Sequence, residues 1–129
     1  MNNQQLSKEW FRKAYNDLSA AKIIISAEIE KKPYDTVCFH SQQAVEKFLK
    51  GFLTYHNKNF PKSHFLEMLL ELCKEIDLSF EDIAEIGMLT PYSVEIRYPD
   101  NTDEIEAEEA EEAYQLALKV KQFIENKIN

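Results

Sequence analysis

The residues with the clearest potential for chemistry lie in one short stretch, Arg97-Tyr98-Pro99-Asp100. The chain has two arginines against thirteen lysines, and the second arginine stands where a proline ends a helical pattern. A guanidinium beside a carboxylate at a helix end offers a fixed fork of donors that suits a phosphate or carboxylate ligand. Alternatively, Arg97 and Asp100 pair with each other and only fix the helix end. We treat Arg97, Tyr98 and Asp100 as candidate ligand-binding residues.

A second group of polar side chains recurs along the helical pattern of residues 34–57. Its spacing of three, four, three and four residues places the group in one row on a helix. The row consists of His40, Gln43, Lys47, Lys50 and Thr54. Such a row can line a cleft and offer donors to an anionic ligand, for which His40, Gln43 and Lys47 are the candidates. Alternatively, the row lies opposite the core and faces water, with Glu46 and Lys50 paired one turn apart.

Two further polar residues have a predicted role. His64 follows the polar turn before the third helical pattern, where a neutral imidazole can act as an acid or base, or only cap or pack against the helix start. It is the seventh candidate ligand-binding residue. Gln42 projects toward the apolar side of its helix, so its amide must find buried hydrogen-bond partners.

Several kinds of catalytic site are not indicated by the sequence. No serine stands in an order with histidine and carboxylate that singles out a nucleophile. Glycine occurs only at positions 51 and 87, which leaves no glycine-rich phosphate loop. The two cysteines and three histidines do not have metal-ligand spacing. We therefore assign no catalytic residue, no metal ligand and no cofactor.

The charge of the chain is concentrated in one segment. The formal net charge is −8, and residues 103–112, DEIEAEEAEE, contribute seven acids and no base. This run opens the last helical pattern, where acids meet the positive end of the helix dipole. It is either a solvated helix start or a docking surface for a basic partner. General nucleic-acid binding is unfavourable, because phosphate contacts need a basic surface.

The periodicity of apolar residues predicts an all-α fold. Helical patterns cover residues 7–31, 34–57, 63–76, 79–98 and 103–128. Short polar connections favour a single up-and-down bundle of four to five antiparallel helices over residues 1–129. Gly51 inside an apolar helix indicates that another backbone approaches it. Cys38 and Cys73 are expected as buried thiols, and the polar start without a membrane-spanning run favours a cytoplasmic protein.

Three segments together resemble the HEPN domain, a nucleotide-binding domain of higher eukaryotes and prokaryotes. They are CFHSQQAVEKFLKGFL (38–53), SHFLEMLLELC (63–73) and Tyr92 followed by RYPD (97–100). The resemblance implies a helical bundle that dimerises. It also implies a partner, a small nucleotidyltransferase encoded beside it, in a pair of the toxin–antitoxin kind. Some members of the family are metal-independent ribonucleases, and others are thought to bind nucleotides.

The nuclease branch of that family carries an arginine followed four to six residues later by a histidine, and this chain lacks that spacing. Arg97 is followed by YPDNTDEIE, and Arg12 has no histidine until position 40. We therefore expect a non-catalytic, dimeric binding module for a nucleotide or other phosphate ligand. The alternatives are a diverged ribonuclease in which Arg97 holds phosphate and His64 carries the proton, and a purely structural dimer.

Overall fold

The computed structural model of the protein describes residues 1–93 and 104–128. Within these ranges the chain forms four α-helices and one long 3-10 segment, which confirms the predicted all-α fold class. The elements are α1 (Asn3–Ser26), α2 (Tyr34–Tyr55), α3 (Leu66–Ile76), the 3-10 segment (Leu78–Ser93) and α4 (Ala107–Ile128). Among the helices described here, none has the length and apolar character needed to cross a membrane.

Helix α1 begins four residues before the predicted start. The Asn2 side chain accepts a hydrogen bond from the backbone N–H of Gln5, and the Gln5 side chain accepts one from the backbone of Asn2. This reciprocal arrangement is a capping box, which satisfies two of the N–H groups that a helix start leaves without partners. The helix ends at Ser26, before the predicted end at residue 31.

The segment after α3 differs from its predicted form. The carboxylate of Asp77 accepts hydrogen bonds from the backbone N–H and the hydroxyl of Ser79, at 3.0 and 2.6 Å. Asp77 therefore caps this segment. The backbone departs from helical dihedrals at Ile83, and Pro91 is inside the 3-10 segment. The predicted continuation beyond Ser93 lies outside the described residues.

Helix α2 is the centre of the molecule. It contacts α1, α3, α4 and the 3-10 segment, as is expected of a helix that is apolar around much of its circumference. An aromatic series crosses the core from α2 to α4: the ring centroids of Phe52 and Phe80 are 4.6 Å apart, and those of Phe80 and Phe123 are 4.9 Å apart. Both cysteines are buried thiols. Burial raises the pKa of the Cys73 thiol, so that it stays protonated at neutral pH.

Gly51 marks the close contact between α1 and α2. A Cβ atom at this position would lie 2.5 Å from Cε1 of Phe11. The neighbour is an aromatic side chain of α1 and not the backbone that was predicted. One turn before Phe11 on α1, the hydroxyl of Ser7 donates a hydrogen bond to the Gly51 carbonyl at 2.9 Å.

The connection after α2 determines where the polar groups meet. Helices α1 and α2 are antiparallel, because Ser7 contacts Gly51 whereas Asp17 contacts His40. Residues 57–65 then run back along α2. They bring His64 to the middle of α2, beside Gln42, and α3 starts from there.

Candidate functional site

The first polar cluster joins α1 to α2 and consists of Asp17, His40 and Lys47, which we call the Asp17 cluster. One carboxylate oxygen of Asp17 lies 2.8 Å from Nδ1 of His40, and the other accepts a hydrogen bond from Nζ of Lys47 at 2.6 Å. The Asp17 side chain is largely buried and the two partners are partly buried. A buried carboxylate needs such compensation, since an unpaired one would be expensive to desolvate.

The second polar cluster lies further along α2 and joins it to the start of α3. The Glu46 cluster consists of Gln42, Gln43, Glu46, Lys50 and His64. Oε1 of Glu46 lies 2.9 Å from Nδ1 of His64, and Oε2 accepts a hydrogen bond from Nζ of Lys50 at 2.9 Å. The Glu46 side chain is only 5% exposed, whereas that of His64 is 65% exposed. A fixed internal carboxylate therefore holds an imidazole at the surface.

Gln42 links the two sides of the Glu46 cluster, as its position on the apolar side of α2 predicted. Its amide nitrogen donates to Glu46 at 3.1 Å and to the backbone carbonyl of His64 at 3.3 Å. Its amide oxygen accepts a hydrogen bond from Gln43 at 2.7 Å. The buried amide thus has partners on both of its polar atoms, which fixes the chain at His64 against α2.

The electrostatics of the Glu46 cluster depend on the balance between burial and hydrogen bonding. Burial by itself would raise the pKa of Glu46, but hydrogen bonds from Lys50, His64 and Gln42 outweigh it and lower that pKa. Nζ of Lys50 also lies 5.5 Å from the ring centroid of Trp10, within the range of a cation–π contact. Glu46 therefore stays ionised inside the protein and remains hydrogen-bonded to His64.

The polar row on α2 does not face water, so the second of the two interpretations of its spacing, a solvated surface opposite the core, is wrong. Lys50 and Thr54 are buried, and His40, Gln43 and Lys47 are partly buried. The row packs against α1, because α1 presents Asp17 and Trp10 to it. The Glu46–Lys50 pair does form, but it is internal. The ammonium of Lys47 is paired with Asp17, so a ligand would have to compete for it.

The structure groups the predicted site residues as follows. His40 and Lys47 share the Asp17 cluster, and Gln43 and His64 share the Glu46 cluster. Arg97, Tyr98 and Asp100 lie outside the described residues, so their position relative to His64 stays a prediction.

Sequence reasoning missed Asp17, and it placed Glu46 only as the partner of Lys50 on a surface that faces water. A signal for Asp17 was present, because it follows Ala14 by three residues and precedes Ala21 by four, on the buried face of α1. Glu46 likewise follows the buried Gln42 by one turn. Each is an acid at a core-facing position, which predicts a buried partner. In the described part of the chain, no group of three or more potential ligand side chains is arranged to hold a metal ion.

The protein is thus a small all-α domain whose central helix carries two buried ion-paired clusters. One of these clusters holds an exposed histidine. The family model described as HEPN domain matches residues 7–127. The chain belongs to the HEPN family. None of the curated protein sequences matches it significantly.

Two solved structures are similar to this chain over nearly its whole length. The crystal structure of ST0689, described as an archaeal HEPN homologue, has a TM-score of 0.71 at 25% identity and covers 95% of this chain and 98% of that one. The crystal structure of TT1696 from Thermus thermophilus has a TM-score of 0.73 at 29% identity, with coverage of 99% and 100%.

Proposed function

We propose that the protein is a non-catalytic HEPN module that binds a nucleotide or another phosphate ligand at His64. In this proposal it is a homodimer and acts with a small nucleotidyltransferase, as one half of a pair of the toxin–antitoxin kind. The observation that carries the binding role is the contact between Glu46 and His64. The dimer and the partner rest on the family alone.

The Glu46–His64 contact favours a recognition role because it orients the imidazole before any ligand arrives. Nδ1 of His64 is engaged by a buried carboxylate, so Nε2 is the nitrogen left to meet a ligand on the exposed side of the ring. Holding a binding group in place reduces the ordering cost of association. Because the Nδ1–H is donated to Glu46, Nε2 can donate to a phosphate oxygen only in the imidazolium form, in which both ring nitrogens carry a proton.

Because the two clusters have no net positive charge, binding of a phosphate ligand requires a further cationic side chain. Asp17 and Glu46 are matched by Lys47 and Lys50, so the clusters are electroneutral when the imidazoles are neutral. In the proposal Arg97 supplies the additional positive charge, with Tyr98 and Asp100 beside it. A guanidinium binds phosphate through two parallel hydrogen bonds, which a lysine cannot reproduce.

A nucleotide titration tests the binding role. Adenine and guanine nucleotides are added to wild type and to the His64→Ala, Arg97→Ala and His56→Ala variants, and the melting temperature is recorded. A ligand that binds only the folded protein at a hundred times its Kd stabilises it by about 2.7 kcal/mol. We expect this stabilisation in wild type and its loss in the first two variants.

His56→Ala is the matched control, because His56 is an exposed histidine outside both clusters. It should retain the nucleotide response. A response that is absent from wild type, or that survives both His64→Ala and Arg97→Ala, contradicts the binding proposal. Co-expression with a small nucleotidyltransferase encoded beside this chain tests the proposed partner. Analytical ultracentrifugation tests the proposed dimer.

A diverged ribonuclease is the second candidate, and the Glu46–His64 contact is the observation that favours it. A carboxylate that orients an imidazole is a recurring arrangement for acid–base catalysis. RNA is incubated with wild type and with the Glu46→Gln, His64→Ala and Arg97→Ala variants. Cleavage that disappears with His64 and Arg97 would replace the non-catalytic role. We expect intact RNA in all samples, because the arginine–histidine spacing of the nuclease branch is missing.

A further inference from the structure

A groove of about 220 Å³ lies between the 3-10 segment and α4. The two elements run antiparallel, because Glu85 pairs with Lys119 whereas Tyr92 donates a hydrogen bond to Glu109. We call this surface the Met88 groove, and its apolar lining residues are Met88, Leu89, Tyr92, Ala113 and Leu116. None of these residues belongs to the Asp17 cluster or the Glu46 cluster, so the groove is a separate feature of the molecule.

The shape of the Met88 groove follows from a small residue on α4. Ala113 and Leu89 are buried and form the bottom of the groove. Leu116 follows Ala113 by three residues on the same face of α4, so a long and a short side chain alternate along the wall. Met88 is 55% exposed at the edge. A methionine side chain is flexible and adapts to the shape of a partner, which makes methionine frequent at protein-binding surfaces.

The size of the groove limits what can occupy it. Its volume is below the range of about 300–1,000 Å³ that is typical of pockets for drug-sized ligands. It therefore accommodates a few anchoring side chains rather than a whole small molecule. A partner that binds by adding a strand needs an exposed sheet edge, and the described residues form helices only. An amphipathic helix whose apolar anchors are three and four residues apart suits a groove between two helical elements.

The charge around the groove selects a basic occupant. The 3-10 segment contains three acids and no base, and the first ten residues of α4 contain four acids and no base. Two of these acids, Glu109 and Glu112, line the groove itself. Each of three other cavities has at least one basic lining residue, and these residues are Lys32, Lys58, and Lys8 with Arg12. The Met88 groove therefore combines an apolar floor with acidic walls, which is complementary to an apolar helix face flanked by lysine or arginine.

The same charges disfavour two other occupants. A symmetric contact with a second copy would use the same surface on both molecules and bring the two acidic walls together, so like charges would repel. An anionic lipid surface attracts basic segments and is repelled by this acidic one.

We propose that the Met88 groove is a docking site for a basic amphipathic helix of another protein. The apolar face of that helix inserts between Met88 and Leu116, and its lysines or arginines contact Glu109 and Glu112. The sequence left open whether the acid run 103–112 is a solvated helix start or a docking surface, and the proposal assigns the second role to two of its members. It goes beyond the phosphate site at His64 and holds whether or not that site binds a ligand.

A fluorescently labelled synthetic peptide tests the proposal by anisotropy. The peptide has about 18 residues, or roughly five helical turns, with leucine on one face, lysine and arginine beside it, and alanine and glutamine elsewhere. One control peptide has the same residues in an order that scatters the leucines around the helix, and a second has glutamate in place of every basic residue. We expect saturable binding of the first peptide and at least about tenfold weaker binding of both controls.

A pair of apolar variants locates the binding site. Met88→Ala removes an exposed side chain that becomes buried under the peptide, so it should weaken the affinity by at least about fivefold. Leu78→Ala is the matched control, because Leu78 is a large exposed residue of the same 3-10 segment outside the groove. It should leave the affinity unchanged. His64→Ala should also leave it unchanged, which separates this proposal from the phosphate site.

A pair of charge variants tests the acidic walls. Glu109→Lys combined with Glu112→Lys reverses two charges at the groove, whereas Glu28→Lys combined with Glu30→Lys changes the net charge equally at exposed positions elsewhere. At about 50 mM salt the first double variant should weaken the affinity at least about tenfold more than the second. The difference should shrink at about 1 M salt, where charges more than about 3 Å apart are screened.

Four outcomes would overturn the proposal. They are the absence of saturable binding to wild type, equal binding of the scattered-leucine peptide, and equal losses in the groove variants and their controls. The fourth is a wild-type dimer that Met88→Ala dissociates in sedimentation experiments, because a second copy would then occupy the groove. Circular dichroism confirms that each variant is folded, and the exposed positions of Met88, Glu109 and Glu112 make this the expected result.

Discussion

At the scale of single residues, Glu46 is the side chain on which the candidate site depends. It accepts hydrogen bonds from Lys50 and Gln42 and contacts His64, although it is almost completely buried. Removing one partner of a buried ion pair is costly, because the remaining charge is left without compensation. Its replacement therefore affects both stability and the orientation of the surface histidine.

We expect Glu46→Gln to lower the free energy of unfolding at pH 7 by about 3 kcal/mol, because it leaves the buried ammonium of Lys50 unpaired. The matched control is Glu9→Gln, which breaks an exposed pair with Arg12 and should cost less than about 1 kcal/mol. Urea unfolding at constant pH measures both values. Equal costs for the two variants would show that the Glu46–Lys50 pair contributes no more than a surface pair.

The lowered pKa of Glu46 predicts that the stability of the protein decreases at acid pH. The pKa of Glu46 is lower in the folded than in the unfolded protein, so its contribution is complete above the unfolded pKa of about 4.3. That contribution is lost as the pH falls through the folded pKa. Wild type should therefore lose more stability between pH 7 and pH 3 than Glu46→Gln does. Identical losses in both proteins would contradict the assignment.

The site could be predicted from sequence only where local spacing carries the information. The buried partners of Gln42 followed from its position on α2, and His64 was recognised as a candidate. The contact between His64 and Glu46 was not predictable, because it depends on residues 57–65 running back along α2. Neither helical periodicity nor residue type determines the path of such a connection.

At the scale of secondary-structure elements, the packing of α1 on α2 depends on the missing side chain of Gly51. The ring of Phe11 occupies the space that a methyl group would take. The sequence analysis predicted a close approach at Gly51 but assigned it wrongly to a backbone, because a glycine permits a backbone and an aromatic ring equally well. The start of α1 was predictable in principle, because Asn2 and Gln5 have capping-box spacing.

We expect Gly51→Ala to destabilise the protein by about 1–2 kcal/mol, since overpacking outweighs the higher helix propensity of alanine. Gly87→Ala is the matched control. Its added methyl would meet the flexible Glu67 side chain at 3.1 Å, so the change should be close to neutral. Urea midpoints measure both variants. The cost of Gly51→Ala should shrink in a Phe11→Leu background, and a cost that is unchanged there would contradict the contact.

The junction between α3 and the 3-10 segment gives a second acid-sensitive element. Hydrogen bonds from Lys127 and then from Ser79 lower the pKa of Asp77 to about 2. The stabilisation is therefore complete above the unfolded pKa of about 3.9 and is lost as the pH falls toward 2. We expect Asp77→Asn to reduce the loss of stability between pH 4 and pH 2.5. Lys127→Ala should reduce it partly, and a loss that neither variant changes would show that the junction does not titrate.

At the scale of the whole molecule, the charges are distributed against binding of long nucleic acids. Acidic residues number 23 against 15 basic ones, and the first turns of α4 expose Glu108, Glu109, Glu111 and Glu112. The partly buried Lys47 and the buried Lys50 are already paired with internal carboxylates. Binding of a single phosphate ligand at one site and binding of a polyanion along a surface are separate properties, and this charge distribution disfavours the second.

We expect no retarded migration of duplex DNA or structured RNA with micromolar protein at about 150 mM salt, because non-specific affinity comes from cations placed along the phosphate backbone. A variant with glutamine at the four exposed glutamates of α4 tests the cause. It removes four negative charges without adding a cation, so it should bind measurably only at low salt. Tight binding by wild type would contradict the charge argument and move the functional interpretation from a single nucleotide toward a polymer.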